Sequence, residues 1–220
     1  VDCYLALYFE KKNGEKIAYY EWHIGSRFEN QDQQVDVVSV PKTITETGQQ
    51  VDEVSVQKPR PAMPTILLCH GWESNSHRWK KFVSYMKSSE YHFISLDAPG
   101  HGRSFTDEFT MVTYGEYIKA MIETFNPTFI VAHSVGSFCS LYALSRLPQY
   151  AHIKIICLSG PPSAMFVIER VFHLLDLNAR MQRIFIKTLE KKFKISINEI
   201  DIKYIGPFVK NEGILIYDKM

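Results

Sequence analysis

The sequence contains no apolar run approaching the ~18 residues of a membrane span, so no such span is expected. Cysteine is sparse: Cys3, Cys69, Cys139 and Cys157 form no CxxC pair and no metal-ligand spacing. Each sits among apolar neighbours and reads as a small buried hydrophobe. That fits a reducing compartment, and the expected location is cytoplasmic. Charge of one sign is also lacking, with a formal net charge of +1. Nothing in that balance suggests the basic face that nucleic acid or an anionic membrane would attract. Pairs such as Lys80-Lys81 and Lys191-Lys192 read as solvated helix faces. Internal repeats and low-complexity tracts are absent. No secretory signal pattern stands at Val1, and the chain stops in mid-pattern at Met220, so further chain is expected beyond the ends.

What remains is an ordinary globular composition, long enough for one domain that carries an insertion. Leu5–Phe9 and Lys16–Trp22 read as strands joined at Asn13-Gly14, a strong hairpin signal. Residues 26–64 turn polar, with Val at alternate places, and read as an inserted excursion, an extended hairpin closed by prolines. Beyond Pro64, strands and helices alternate. Thr65–Cys69, His92–Leu96, Thr128–Ala132 and Ile153–Leu158 are short apolar runs, as expected of strands buried on both faces. Ser76 is placed to cap a helix carrying Trp79, Phe82, Val83 and Met86. Thr113 and Glu116 offer a capping box for a helix with one apolar stripe from Tyr114 to Phe125. Val135–Arg146 reads as the next helix. Alternation of this kind predicts a mostly parallel, doubly wound α/β sheet.

The alternation breaks after Pro161-Pro162. Residues 164–208 read as helices lying over one end of the sheet, and Gly213–Tyr217 resumes the strands. Met181, Ile184, Phe185, Leu189 and Phe193 keep helical spacing there, and Ser196 with Glu199 offers another capping box. The expected organisation is a core of residues 1–163 and 209–220 with a helical excursion at 164–208.

Three loops carry chemistry. In Ala132-His133-Ser134-Val135-Gly136 a buried strand runs into Ser134 and a helix follows at once. A turn that tight tolerates only small residues two places either side of the serine, here Ala132 and Gly136, and it exposes the hydroxyl at the sheet's carboxyl edge. It also sets the serine at a helix N-terminus, which favours negative charge. His70-Gly71-Trp72 follows the first core strand and should lie beside Ser134. The N–H groups of Trp72 and Val135 would then hold an oxyanion, each worth about 3 kcal/mol in the transition state. His70 is expected to brace its loop. Asp97-Ala98-Pro99-Gly100-His101-Gly102-Arg103-Ser104 is conformationally demanding, and Asp97 and His101 are expected to fix it rather than to catalyse.

These loops, in this order and on these elements, resemble the α/β-hydrolase superfamily, and within it the small esterase and lipase-like branch. The resemblance covers about residues 5–25 and 62–220. It implies Ser134 as nucleophile, Trp72 and Val135 as oxyanion donors, and residues 164–208 as a cap. Ala132 stands where the family usually has glycine. The family's acid would fall just beyond Met220, with Asp218 about where a residue preceding it is found, and its histidine after one further strand; none of the eight histidines here occupies that place. The expected chemistry is ester cleavage through an acyl-enzyme, with no metal or organic cofactor. The substrate expected is a small ester or acyl compound, apolar if Met165, Phe166, Phe172, Leu174, Leu175 and Phe185 line the cap. Without acid and base, these 220 residues alone are expected to be nearly inactive. Two readings stay open: a non-catalytic binding protein on this fold, and another chemistry of the same triad, such as cofactor-free peroxidation or carbon–carbon hydrolysis.

Overall fold

The computed structural model describes residues 3–10, 16–23, 37–39, 63–86, 91–104 and 109–217. Its eight strands are β1 (Cys3–Glu10), β2 (Lys16–His23), β3 (Val37–Ser39), β4 (Thr65–Cys69), β5 (His92–Leu96), β6 (Phe129–His133), β7 (Lys154–Leu158) and β8 (Gly213–Ile216). They form one sheet in the order β3-β1-β2-β5-β4-β6-β7-β8. From β5 through β8 every pair is parallel, while β2 meets both β1 and β5 antiparallel. The expected α/β architecture is therefore present. Asn13-Gly14 lies outside the described residues, as does most of 26–64. The strand described from that insertion, β3, joins the edge parallel to β1 rather than folding back on it as a hairpin.

The principal helices are α1 (Lys80–Met86), α2 (Met111–Phe125), α3 (Val135–Ser145), α4 (Ala164–Leu174), α5 (Ala179–Phe193) and the short α6 (Ile202–Ile205). The stripe on α2 behaves as its spacing predicts: Tyr114, Tyr117, Ile118, Met121, Ile122 and Phe125 are all buried. They pack with α3 and one sheet face into the larger core, which also takes in Ile168, Phe172, Ile197, Ile200 and Ile205 of the helical excursion. A smaller cluster on the other face gathers Trp22, Ile66, Leu68, Trp79, Val83 and Phe93. Cys69, Cys139 and Cys157 are free and buried. Burial pushes the Cys69 thiol up to about 12 and the Cys157 thiol up to about 11, which keeps both protonated and inert.

Helix starts differ from the sequence reading. Asn75, not Ser76, caps the turn leading into α1, because its carboxamide oxygen accepts the N–H of His77. The amide of Ser76 is instead taken by the Asp97 carboxylate. Thr110, not Thr113, caps α2 by accepting the Thr113 N–H, so the helix begins one turn earlier. Ser196 does cap its short helix, but the carboxylate that meets its hydroxyl is Glu190 rather than Glu199. In each case several side chains near the boundary have capping chemistry, so the helix start read from the sequence shifts by a residue or a turn.

Candidate active site

Three adjacent parallel strands deliver the site. Cys69 on β4 stands opposite both Leu96 on β5 and Ala132 on β6. The next residues, His70, Asp97 and His133, therefore emerge together at the sheet's carboxyl edge, the usual ligand-binding edge of parallel sheets.

Ser134 has φ 54° and ψ −128°. A residue with a β-carbon is strained there by about 1–3 kcal/mol. Its surroundings hold it on both sides. Its N–H donates to the Leu158 carbonyl at 2.8 Å, and its carbonyl accepts the Ser137 N–H at 2.9 Å. The Ser137 hydroxyl in turn donates to the Ala132 carbonyl at 2.9 Å, tying helix to strand.

The neighbours leave no room. A β-carbon on Gly136 would stand 2.8 Å from the Cys69 carbonyl oxygen and closer still to that of His70. The demand for a small residue at 136 thus comes from the end of β4, against which α3 is pressed. Ala132 is fully buried between Cys69 and Cys157 on the flanking strands. On the other side, a β-carbon on Gly71 would stand 2.8 Å from the Ser134 β-carbon and 3.1 Å from His133 Nδ1. The 70–72 loop therefore lies directly against the serine, as expected. Trp72 follows, half exposed, with its ring stacked on Phe109 at 5.8 Å between centroids. Val135 opens α3, so its N–H belongs to a first turn whose amides lack intrahelical acceptors.

Matching these features, the model of the alpha/beta hydrolase fold family covers residues 64–200. The chain belongs to the α/β hydrolase fold family. It is 33% identical over 132 residues to a protein described as "Probable lysophospholipase BODYGUARD 2" of Arabidopsis thaliana, an alignment covering 54% of this chain and 28% of that one. It is 27% identical over 142 residues to "Phospholipase YtpA" of Bacillus subtilis (strain 168), covering 60% of this chain and 53% of that one. Among solved structures, the thioesterase domain from the curacin biosynthetic pathway matches with a TM-score of 0.50 and 20% identity, covering 73% of this chain and 45% of that one, which shows the shared fold. The chain thus spans between about a quarter and about half the length of these curated relatives.

In this α/β hydrolase fold the ionisable groups of the neighbouring loops are committed to holding those loops. His70 Nε2 accepts the Ala98 N–H at 2.9 Å, which leaves the proton on Nδ1, donated to the Gly71 carbonyl at 2.7 Å. Burial pulls the His70 pKa down to about 4, against the opposing pull of the Gly71 carbonyl and Asp97. His101 repeats the pattern: Nε2 accepts the Glu73 N–H at 3.1 Å and Nδ1 faces the Pro99 carbonyl at 2.7 Å. Asp97 is fully buried and accepts from the Ser76 N–H, the Arg103 N–H and the Tyr20 hydroxyl at 2.7–2.8 Å. Neither histidine has a ring nitrogen left for the serine proton. The bracing roles expected of His70, His101 and Asp97 match these bonds.

Two supports escaped sequence reading. The Tyr114 hydroxyl donates to the His70 carbonyl at 3.0 Å, although Tyr114 reads as one more member of an apolar stripe. Phe109 stacks under Trp72 and meets His101 edge-on at 5.0 Å, with no motif to announce it. Asp218 lies outside the described residues.

Proposed function

We propose that the whole protein is a serine hydrolase that cleaves a carboxylic ester or related acyl compound through an acyl-enzyme on Ser134. The observation that carries this is the strained backbone of Ser134 at a strand-to-helix turn, with Gly71 packed against its β-carbon. A strained conformation held by hydrogen bonds on both sides needs a reason, and presenting a nucleophile is the one this turn serves elsewhere. The Trp72 and Val135 amides bind the oxyanion. A general base takes the Ser134 proton as the serine oxygen attacks the carbonyl, and the same group then gives that proton to the leaving alcohol. A water activated in the same way releases the acid product and restores the serine. Since His70, His101 and Asp97 are committed, a different acid and base must act. No metal or organic cofactor takes part in this scheme.

Residues 164–208 act as the cap. Phe172 is buried and meets Phe185 edge-on at 5.5 Å. Met111, Val112, Ile168, Leu189, Phe193 and Ile200 line a cleft of about 50 Å³ between α2 and the excursion. Two residues before Met111, Phe109 touches Trp72. Its lining is apolar, as an apolar substrate group requires, and both curated relatives carry phospholipase-type names. The test is Ser134→Ala in the whole protein. Loss of about 10³-fold or more of ester hydrolysis, with loss of labelling by a fluorophosphonate, is expected. Retained labelling overturns the assignment.

A second reading is a non-catalytic binding protein on the same fold. It draws on the full commitment of His70, His101 and Asp97 to their loops. A whole protein that binds an acyl ester without turning it over would favour it.

A further inference from the structure

The even overall charge averages away a local concentration. Between Leu174 and Lys194 stand six basic residues and two acidic ones, Asp176 and Glu190. Glu190 is turned inward, its carboxylate accepting from the Ser196 hydroxyl and the Ile197 N–H at 3.1 Å. Arg180, Arg183, Lys187 and Lys191 are all exposed, and their spacing of three, four and four residues sets them along one line of α5.

The helical spacing expected of Met181, Ile184, Phe185, Leu189 and Phe193 is present in α5. Its five apolar positions do not all face the core. Phe185 and Leu189, with Ile186, pack inward, whereas Met181 is 49% and Ile184 56% exposed. At the corner before α5, Leu174 is 83% and Leu175 57% exposed. Among the described residues, exposed apolar side chains thus stand beside a row of cations.

We infer that the outward face of α5, with the α4–α5 corner, docks on an anionic lipid surface. Charge complementarity alone would admit any polyanion. The exposed leucines, methionine and isoleucine distinguish the bilayer, which takes cations at its headgroups and short apolar side chains just below them. Long Lys and Arg stems suit that geometry, since their methylenes bury while the charge stays in water. Among the described residues no helix is long and apolar enough to cross a membrane. The inner side of α5 lines the apolar cleft described above, so docking would set that cleft close to lipid. The inference stands whether or not Ser134 is a nucleophile.

The experiment is co-sedimentation of the purified whole protein with vesicles of phosphatidylcholine alone and of phosphatidylcholine with phosphatidylglycerol. Binding to the anionic vesicles only, falling as salt rises, is expected. Reversing Arg180, Arg183, Lys187 and Lys191 to Glu should weaken it about 10³-fold or more. Leu174→Asp with Ile184→Asp, both at exposed positions, should weaken it about tenfold. Equal partition onto neutral vesicles, or unchanged binding by the reversed variant with its melting temperature intact, overturns the inference. If the fourfold reversal does not fold, Arg180→Gln with Lys187→Gln decides: roughly tenfold weaker binding supports the docking face, and no change overturns it. Heparin bound as tightly as vesicles, and insensitive to the two Asp substitutions, would identify a soluble polyanion site instead. Ser134→Ala should bind vesicles like the wild type, which separates failure of docking from failure of the hydrolase proposal.

Discussion

A β-carbon on Gly71 would stand 2.8 Å from the β-carbon of Ser134. The loop after β4 and the turn after β6 therefore share one packing contact, and neither can move alone. Gly71→Ala should push the two apart. The expected cost is about 1–3 kcal/mol of stability, typical of overpacking, with a larger proportional loss of ester hydrolysis in the whole protein. Unchanged stability and turnover would show that the loop has slack.

Gly136→Ala should be worse than Gly71→Ala. The added carbon meets the carbonyl groups of Cys69 and His70, and backbone at the end of a central strand does not rotate away. Chemical denaturation of both variants side by side checks the order.

Ser134→Gly should stabilise the fold by about 1 kcal/mol while abolishing any nucleophile, because glycine removes the strain at φ 54°. Ser134→Ala keeps the β-carbon and should leave stability nearly unchanged. Equal melting temperatures for the two variants would mean that the turn is not strained.

Asp97→Ala should cost about 3 kcal/mol or more, since it strands three donors, the Ser76 and Arg103 amides and the Tyr20 hydroxyl. Denaturant midpoints measure this. Because Tyr20 sits on β2, the same variant should loosen β2 against β5, visible as faster amide exchange in residues 19–22.

His70 predicts a pH dependence. Its pKa is about 4 in the fold against 6.5 in the free state, so the unfolded chain binds the proton first on acidification. This contribution to stability is complete above pH 6.5 and is lost as the pH falls towards 4, at most about 3 kcal/mol in all. His70→Asn should be less stable at neutral pH and should show a shallower acid decline over that interval. Parallel declines would remove His70 from the explanation.

Much of the fold is legible along the chain because its signals are local. A run such as Thr65–Cys69 is apolar on both faces, and a parallel sheet covered on both sides is the arrangement that buries it. The α2 stripe repeats with the helical period, and it is buried as that period requires. The turn at Ser134 is written in the small residues beside it. By contrast, the sequence offered Ser76, Thr113 and Glu199 as capping groups, and Asn75, Thr110 and Glu190 hold those places; at Ser76 the reason is that its amide is already taken by Asp97, 21 residues away.

The sequence by itself therefore determined the alternation of strands and helices and the presentation of Ser134 between them, since both follow from residue size and hydrophobic period. Sequence already pointed to Asp97, His70 and His101 as loop-fixing residues, but tertiary structure alone decided which groups they bind, and that α5 turns Met181 and Ile184 outward beside its cations. The reason is the same in both cases. The partners of Asp97 include Tyr20, 77 residues away, and those of His70 include Ala98, 28 residues away. The face α5 shows to water is set by what its other face, at Phe185 and Leu189, finds to pack against.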